Sequence, residues 1–215
     1  VDHVDPAKVT RFEEARRELL GVYASLGLRE GTTTMIETKD EEERPMFLSI
    51  RPFGAYAEID KLNDAAAARA AAIGKELDRL DAMTHATLVP PHANEIWVLE
   101  SDLSRRAPGG PDETDAVAAR LQEDEVAPTS MDEYEAASKG VVGVLARTAS
   151  PLTRLTFSSS YGTGKIETLW LARRATDLDA LSSGELAASI EKARALTLHS
   201  TTRIAFVRRE LSSTR

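Results

Sequence analysis

The feature that most constrains this chain is an ungapped internal repeat at an offset of 122 residues. Asp2-His3-Val4-Asp5-Pro6 aligns with Asp124-Glu125-Val126-Ala127-Pro128, Phe12-Glu13-Glu14-Ala15 with Tyr134-Glu135-Ala136-Ala137, and Gly21-Val22-Tyr23-Ala24 with Gly143-Val144-Leu145-Ala146. The same offset pairs Thr34 with Thr156 and Arg51 with Arg173. Further along the register slips by a few residues, and both halves end on an acidic-Leu-Ser triplet, Asp102-Leu103-Ser104 and Glu210-Leu211-Ser212. An ordered series of matches over about half the chain marks a duplicated module. Arg105-Arg106-Ala107-Pro108-Gly109-Gly110-Pro111 opposes both helix and central strand, so the join is placed there. The expected division is a first repeat over 1–104, a linker over 105–116 and a second repeat over 117–215.

Each copy carries the same succession of patterns. Phe12, Ala15, Leu19, Val22, Tyr23 and Leu26 recur at helical spacing after Pro6, with Gly27 as a stop, and Tyr134, Ala137, Val141, Val144 and Leu145 repeat the stripe. Two strand-like runs follow in each: Thr32–Lys39 and Met46–Arg51 around an acidic turn, and Leu155–Ser160 and Ile166–Arg173 around Gly162 and Gly164. A second helix is expected on Ala66, Ala70, Ile73, Leu77 and Leu80, and again on Leu186, Ile190, Ala193 and Leu196. Closing strands are expected at Glu95–Glu100 and Arg203–Arg208. Val1–Asp5 matches only the end of Val117–Val126, so the first opening strand is expected to be a clipped version of the second.

The order β-α-β-β-α-β predicts an α+β chain of two tandem ferredoxin-like units. Such a unit covers one sheet face with helices. Alternating apolar positions in Met46–Ile50 and Ile96–Leu99 lead to the expectation that the other faces pack sheet to sheet, as a pseudo-dimeric α+β barrel. A chain holding both halves is expected to be a monomer.

The Asp-x-Val-x-Pro openings (Asp2, Val4, Pro6; Asp124, Val126, Pro128), the Phe/Tyr-Glu helix starts (Phe12-Glu13; Tyr134-Glu135) and the acidic-Leu-Ser endings resemble bacterial members of the dimeric α+β barrel superfamily, in a fused form. That superfamily includes haem-degrading and cofactor-free oxygenases, isomerases, haem proteins and binding proteins. The resemblance therefore implies a fold and a menu of activities. The primary expectation is a small-molecule-binding or structural protein. The alternative is a small-molecule oxidoreductase or monooxygenase working from the barrel interior, cofactor-free or with haem.

Composition narrows the classes. With 27 Lys and Arg against 35 Asp and Glu the net charge is −8, which argues against a general nucleic-acid binder. No apolar run reaches membrane-spanning length. The absence of cysteine removes disulfides, thiolate nucleophiles and Cys-ligated metal. No signal peptide is recognisable, and the compartment is left open between cytoplasmic and exported after removal of a leader. His85 and His199 are the candidate bases or axial ligands, set against the plain reading of histidines near helix ends. His85, His92 and Glu95 do not match a zinc spacing, so no metal site is expected. Arg51 and Arg173, read as equivalent strand ends, and Trp97 and Trp170 are the candidate ligand-binding residues. Gly162-Thr163-Gly164-Lys165 lacks the spacing of a phosphate loop, and Ser158-Ser159-Ser160 has no His-Asp set beside it. Val89–Asn94, without a counterpart in the second copy, is expected to be a surface loop, and Asp40–Glu43 a solvated hairpin tip.

Overall fold

Alternating apolar and polar residues in the short runs and three-four spacing in the long ones produce a mixed α+β chain with antiparallel pairing throughout. The computed structural model describes residues 1–25, 33–160 and 164–213, so Leu26, Gly27, Thr32, Tyr161, Gly162 and Thr163 lie outside the described residues, as do the side chains of Ala66 and His92. The chain forms two compact units. One comprises Val1–Ala93 with Arg208–Arg215, and the other Asn94–Val207. The units are therefore drawn differently from the division expected at the Pro/Gly join. Residues 94–104 group with the second unit because they pair with its sheet. Residues 208–213 group with the first because they bond to its strand and helix.

The first unit runs β1 (Asp2–Val4), α1 (Val9–Ser25), β2 (Thr34–Lys39), β3 (Pro45–Ile50), α2 (Ala57–His85) and β4 (Leu88–His92). Its strand order is β4-β1-β3-β2. Val4, Phe12, Met35, Phe47 and Leu211 form its core, with the Phe12 and Phe47 rings 4.6 Å apart. The expectation of a surface loop at Val89–Asn94 is corrected: Leu88–His92 is a strand, paired with β1 through a bulge between Asp2 and His3. Pro90 and Pro91 are compatible with it because β4 ends this unit's strand order, where a missing N–H need not cost a ladder bond. The strand around Trp97 is thus not this unit's closing strand. Ala70, expected on the buried stripe of α2, is exposed, whereas Leu80 is buried and Ile73 and Leu77 are half-buried.

The hairpin tip between β2 and β3 is more than a solvated acidic run. Asp40 accepts from the Glu42 and Arg44 amides at 2.9 Å, from Arg44 Nε at 2.7 Å and from His3 Nδ1 at 2.8 Å. Burial alone would raise the Asp40 pKa, but these hydrogen bonds outweigh it and hold the carboxyl well below the usual range. The returning tail is tied down by Arg208, whose amide donates to the Met35 carbonyl at 2.8 Å. Its guanidinium pairs with Glu13 at 2.6 Å, Glu210 at 2.6 Å, and Glu37.

The second unit runs β5 (Trp97–Leu99), β6 (Ala118–Val126), α3 (Met131–Arg147), β7 (Thr153–Ser159), β8 (Lys165–Ala172), α4 (Gly184–Arg194) and β9 (Thr197–Val207). Its order is β9-β6-β8-β7-β5. Ala118, Trp170 and Ala172 pack with Val141, Val144 and Leu145 of α3 and Leu186 and Ile190 of α4. The even-numbered positions of β6 and β8 therefore face the helices. The odd-numbered face carries Ala119, Leu121, Leu155, Leu169, Leu171 and Ala205, all buried, and then turns charged at Glu123 and Glu167. Gly164 in the β7–β8 hairpin has φ +71°, and a Cβ there would meet the Val126 carbonyl oxygen at 2.5 Å. Only glycine fits that turn.

Candidate functional site

The helix-facing side of the second sheet is where apolar alternation breaks down. Hydrogen-bond register sets three rows across its strands. The first is Ile204–Arg120–Trp170–Arg154, the second Thr202–Gln122–Thr168–Thr156, and the third Ser200–Asp124–Ile166–Ser158. A face that helices cover ordinarily carries aliphatic side chains. Here β6 presents Arg120, Gln122 and Asp124 in succession.

Asp124 is 2% exposed. Its Oδ2 accepts from the Tyr134 hydroxyl at 2.7 Å and from Gln122 Nε2 at 2.8 Å, while Oδ1 is buried with no hydrogen-bond partner among the described residues. Tyr134, from the first turn of α3, has its pKa raised by burial and then by the adjacent Asp124 charge, so its hydroxyl stays protonated and donates. Arg154 is 3% exposed and spans from sheet to helix. Its Nη1 donates to the Leu103 carbonyl and, at 3.4 Å, to that of Ser138, and Nη2 lies 3.4 Å from Ser138 Oγ. Its guanidinium carbon sits 5.3 Å from the Trp170 ring centroid. Burial pushes the Arg154 pKa down to about 10, against the opposing pull of Tyr134 and Asp124.

Four more buried polar atoms on this face have no partner among the described residues: Arg120 Nε, Arg154 Nε, Trp170 Nε1 and Ser200 Oγ. Native interiors leave few such atoms, and each is costly. Three of the four lie in the first row and Ser200 in the third, which makes this face the candidate site. Replacing Tyr134 by Phe, the residue at the matching position of the first unit, removes one of the two donors to the Asp124 carboxylate. A loss of about 1–3 kcal/mol in urea denaturation is expected.

The residues singled out in the sequence fall elsewhere, except Trp170. His85 ends α2 in the first unit, exposed, with Nδ1 on the Asp81 carbonyl at 2.9 Å. His199 is exposed on β9 opposite Glu125, on the side of the second sheet away from the polar rows, so it is not at a helix end matching His85. Trp97 is half-buried and donates to Glu95 at 3.0 Å. Arg173 is exposed and paired with Asp115 at 2.5 Å, and Arg51 donates to Thr33 Oγ1 at 3.3 Å. Extending the β2–β3 register places Arg51 opposite Thr33. Arg51 and Arg173 each directly follow the strand that precedes the second helix of their unit, β3 and β8. Sequence reading missed Arg120, Gln122, Asp124, Tyr134 and Arg154. The available signal was Arg-x-Gln-x-Asp inside a strand whose intervening residues are Leu121 and Glu123.

Among the described residues no group of three or more His, Asp or Glu could hold a metal ion, and no helix is long and apolar enough to cross a membrane. Haem, the cofactor the resemblance allows, does not fit the polar rows. Among the described residues they include no histidine, and Tyr134, which donates to Asp124, is held protonated by burial and by that carboxylate rather than poised as a phenolate ligand.

The architecture defines an α+β protein whose two units each pair their strands in the order 4-1-3-2, the second with β5 added. The chain shares its fold with two solved structures. One is a candidate monooxygenase from Fusobacterium nucleatum (TM-score 0.68, 11% identity, 96% of this chain and 88% of that one). The other is a candidate monooxygenase from Lactobacillus acidophilus (TM-score 0.61, 11% identity, 99% and 92%). No protein-family model matches the sequence, and no curated protein does.

Proposed function

We propose that this chain is a tandem ferredoxin-like protein of the dimeric α+β barrel type that acts, as a monomer, as a cofactor-free small-molecule monooxygenase, with its working site on the helix-covered face of the second unit. The observation that carries the reading is Asp124, a buried carboxylate oriented through one oxygen by Tyr134 and Gln122 while its other oxygen has no partner among the described residues. That is the arrangement of a proton acceptor with its lone pair free. The names borne by the two structures of like fold support the reaction class.

Asp124 takes a proton from an activated methylene of an electron-rich aromatic substrate. The carbanion attacks dioxygen, and the resulting peroxide is protonated to a hydroperoxide. Loss of water then leaves a carbonyl. One oxygen atom enters the product and the other leaves as water. The substrate supplies all four electrons, so no separate reductant is needed. Arg154 offsets the negative charge that develops. The base is assigned to Asp124 because His85 and His199 are both exposed.

The test is oxygen uptake with a panel of anthrones and hydroxylated aromatics, with labelled oxygen traced into the product. Uptake is expected, and Asp124→Asn should lower the rate about 100-fold, the usual share of a general base. No uptake with any member of the panel, or an Asp124→Asn rate equal to the parent, would sink the reading and leave a protein that binds without chemistry.

A further inference from the structure

We propose that the molecule taken by the second unit is a planar aromatic anion, its oxyanion held by the donor row Arg120–Trp170–Arg154. The inference deepens, and rests on, the assignment of that face as the working site. Arg120 lies opposite Trp170 across β6 and β8, and Trp170 opposite Arg154 across β8 and β7. Neighbouring strands are about 4.8 Å apart, so the three side chains rise from roughly 10 Å of sheet, the width of a fused-ring molecule. Each presents a buried nitrogen with no acceptor among the described residues: Arg120 Nε, Trp170 Nε1 and Arg154 Nε.

All three open positions in this row are donors. Water could satisfy them, but water brings no charge, and the row carries two guanidinium groups. The buried carboxylate nearby, Asp124, has Oδ2 already taken by Tyr134 and Gln122. Arg194 of α4 adds positive charge beside Arg120, with Glu191 and Asp124 opposing it, so three guanidinium groups face two carboxylates. An anion completes both the hydrogen bonding and the charge balance. A guanidinium and an indole N–H recognise carboxylate or phenolate oxygens well.

The neighbouring residues indicate the body to which that oxyanion is attached. Ile204 lies opposite Arg120 and Phe206 opposite Ala118, on the same face. They are 52% and 49% exposed. Half-exposed apolar side chains beside a half-buried arginine form a lip over which a flat hydrocarbon ring can lie while its charged end reaches inward.

The experiment is calorimetric titration at pH 7.5 with 2-naphthoate, 2-naphthol and the neutral analogue 2-naphthamide. 2-Naphthoate is expected to bind at least tenfold more tightly than 2-naphthamide. Arg120→Gln should abolish that preference, weakening naphthoate at least tenfold and leaving the amide within twofold. Arg120 carries the test because Arg154 is buried and its replacement can impair folding. 2-Naphthol is largely un-ionised at pH 7.5, because phenols titrate near about 10, so it is a second uncharged control, and its binding more tightly than naphthoate would overturn the inference. Equal affinity for acid and amide, no binding by any probe, or unchanged naphthoate affinity in Arg120→Gln overturns the inference. Naphthoate preference in a protein that consumes no oxygen with any substrate would keep the inference and discard the monooxygenase. Asp124-dependent oxygen uptake without naphthoate preference would do the reverse.

Discussion

Trp170→Ala is expected to destabilise the protein by about 3–5 kcal/mol, whereas Trp97→Ala should cost less than about 1 kcal/mol. Both tryptophans sit in strands and both looked like lining residues in the sequence. Trp170 is 1% exposed and packs among Val141, Val144, Leu145, Leu186 and Ile190, side chains of both helices of its unit. Its removal opens a cavity at the middle of a rigid layer and withdraws the ring from the Arg154 guanidinium, leaving a buried charge with less support. Trp97 is half-buried on a three-residue strand and bonds to an exposed carboxylate. Urea denaturation of the two variants measures the contrast directly. A Trp170→Ala loss no larger than that of Trp97→Ala would show that the helix-facing layer is not the core of the second unit.

The second large effect is a dependence on pH. Glu167, directly opposite Glu123 across β8 and β6, has its pKa pushed up to about 7 by burial, then by the charges of Glu123 and Glu95, with Arg203 pulling the other way. In the unfolded chain the same carboxyl titrates near 4.5. Between about pH 4.5 and 7 the folded protein holds a proton that the unfolded chain has released. The stability from this group is full below that window and is lost as pH rises through about 7. At about 1.4 kcal/mol for each tenfold change in the proton equilibrium, the loss is bounded at about 3.5 kcal/mol. Glu167→Gln should therefore leave stability unchanged near pH 4.5 and raise it by about 2–3 kcal/mol at pH 8. Denaturation curves at the two pH values test this, and a variant no more stable than the parent at pH 8 refutes it.

Local pattern made a large part of this molecule legible. The stripe Tyr134, Val141, Val144 and Leu145 is buried on α3 as three-four spacing requires. The runs read as Leu155–Ser160 and Ile166–Arg173 lie within about two residues of β7 and β8. Periodicity and glycine conformation are properties of a few consecutive residues, so they survive in one dimension. The same rule failed at β4, where two prolines suggested a loop. A proline costs a ladder bond only if a partner strand awaits its N–H, and that is settled by a strand's place in the order.

The candidate site was beyond such reading for a related reason. Alternation says that Arg120, Gln122 and Asp124 share a face, but not which face the helices cover, nor what stands beside each residue. Arg120 has Trp170 on one side and Ile204 on the other, 50 and 84 positions away along the chain. Those neighbours exist only once hydrogen-bond register is set between distant strands, because a slip of one residue turns every side chain to the opposite face. The order of helices and strands was thus written locally in the amino acids. The meeting of Asp124 with Tyr134, and of Arg154 with Trp170, was decided by tertiary pairing, since strand register and helix docking are long-range equilibria that no short segment encodes alone.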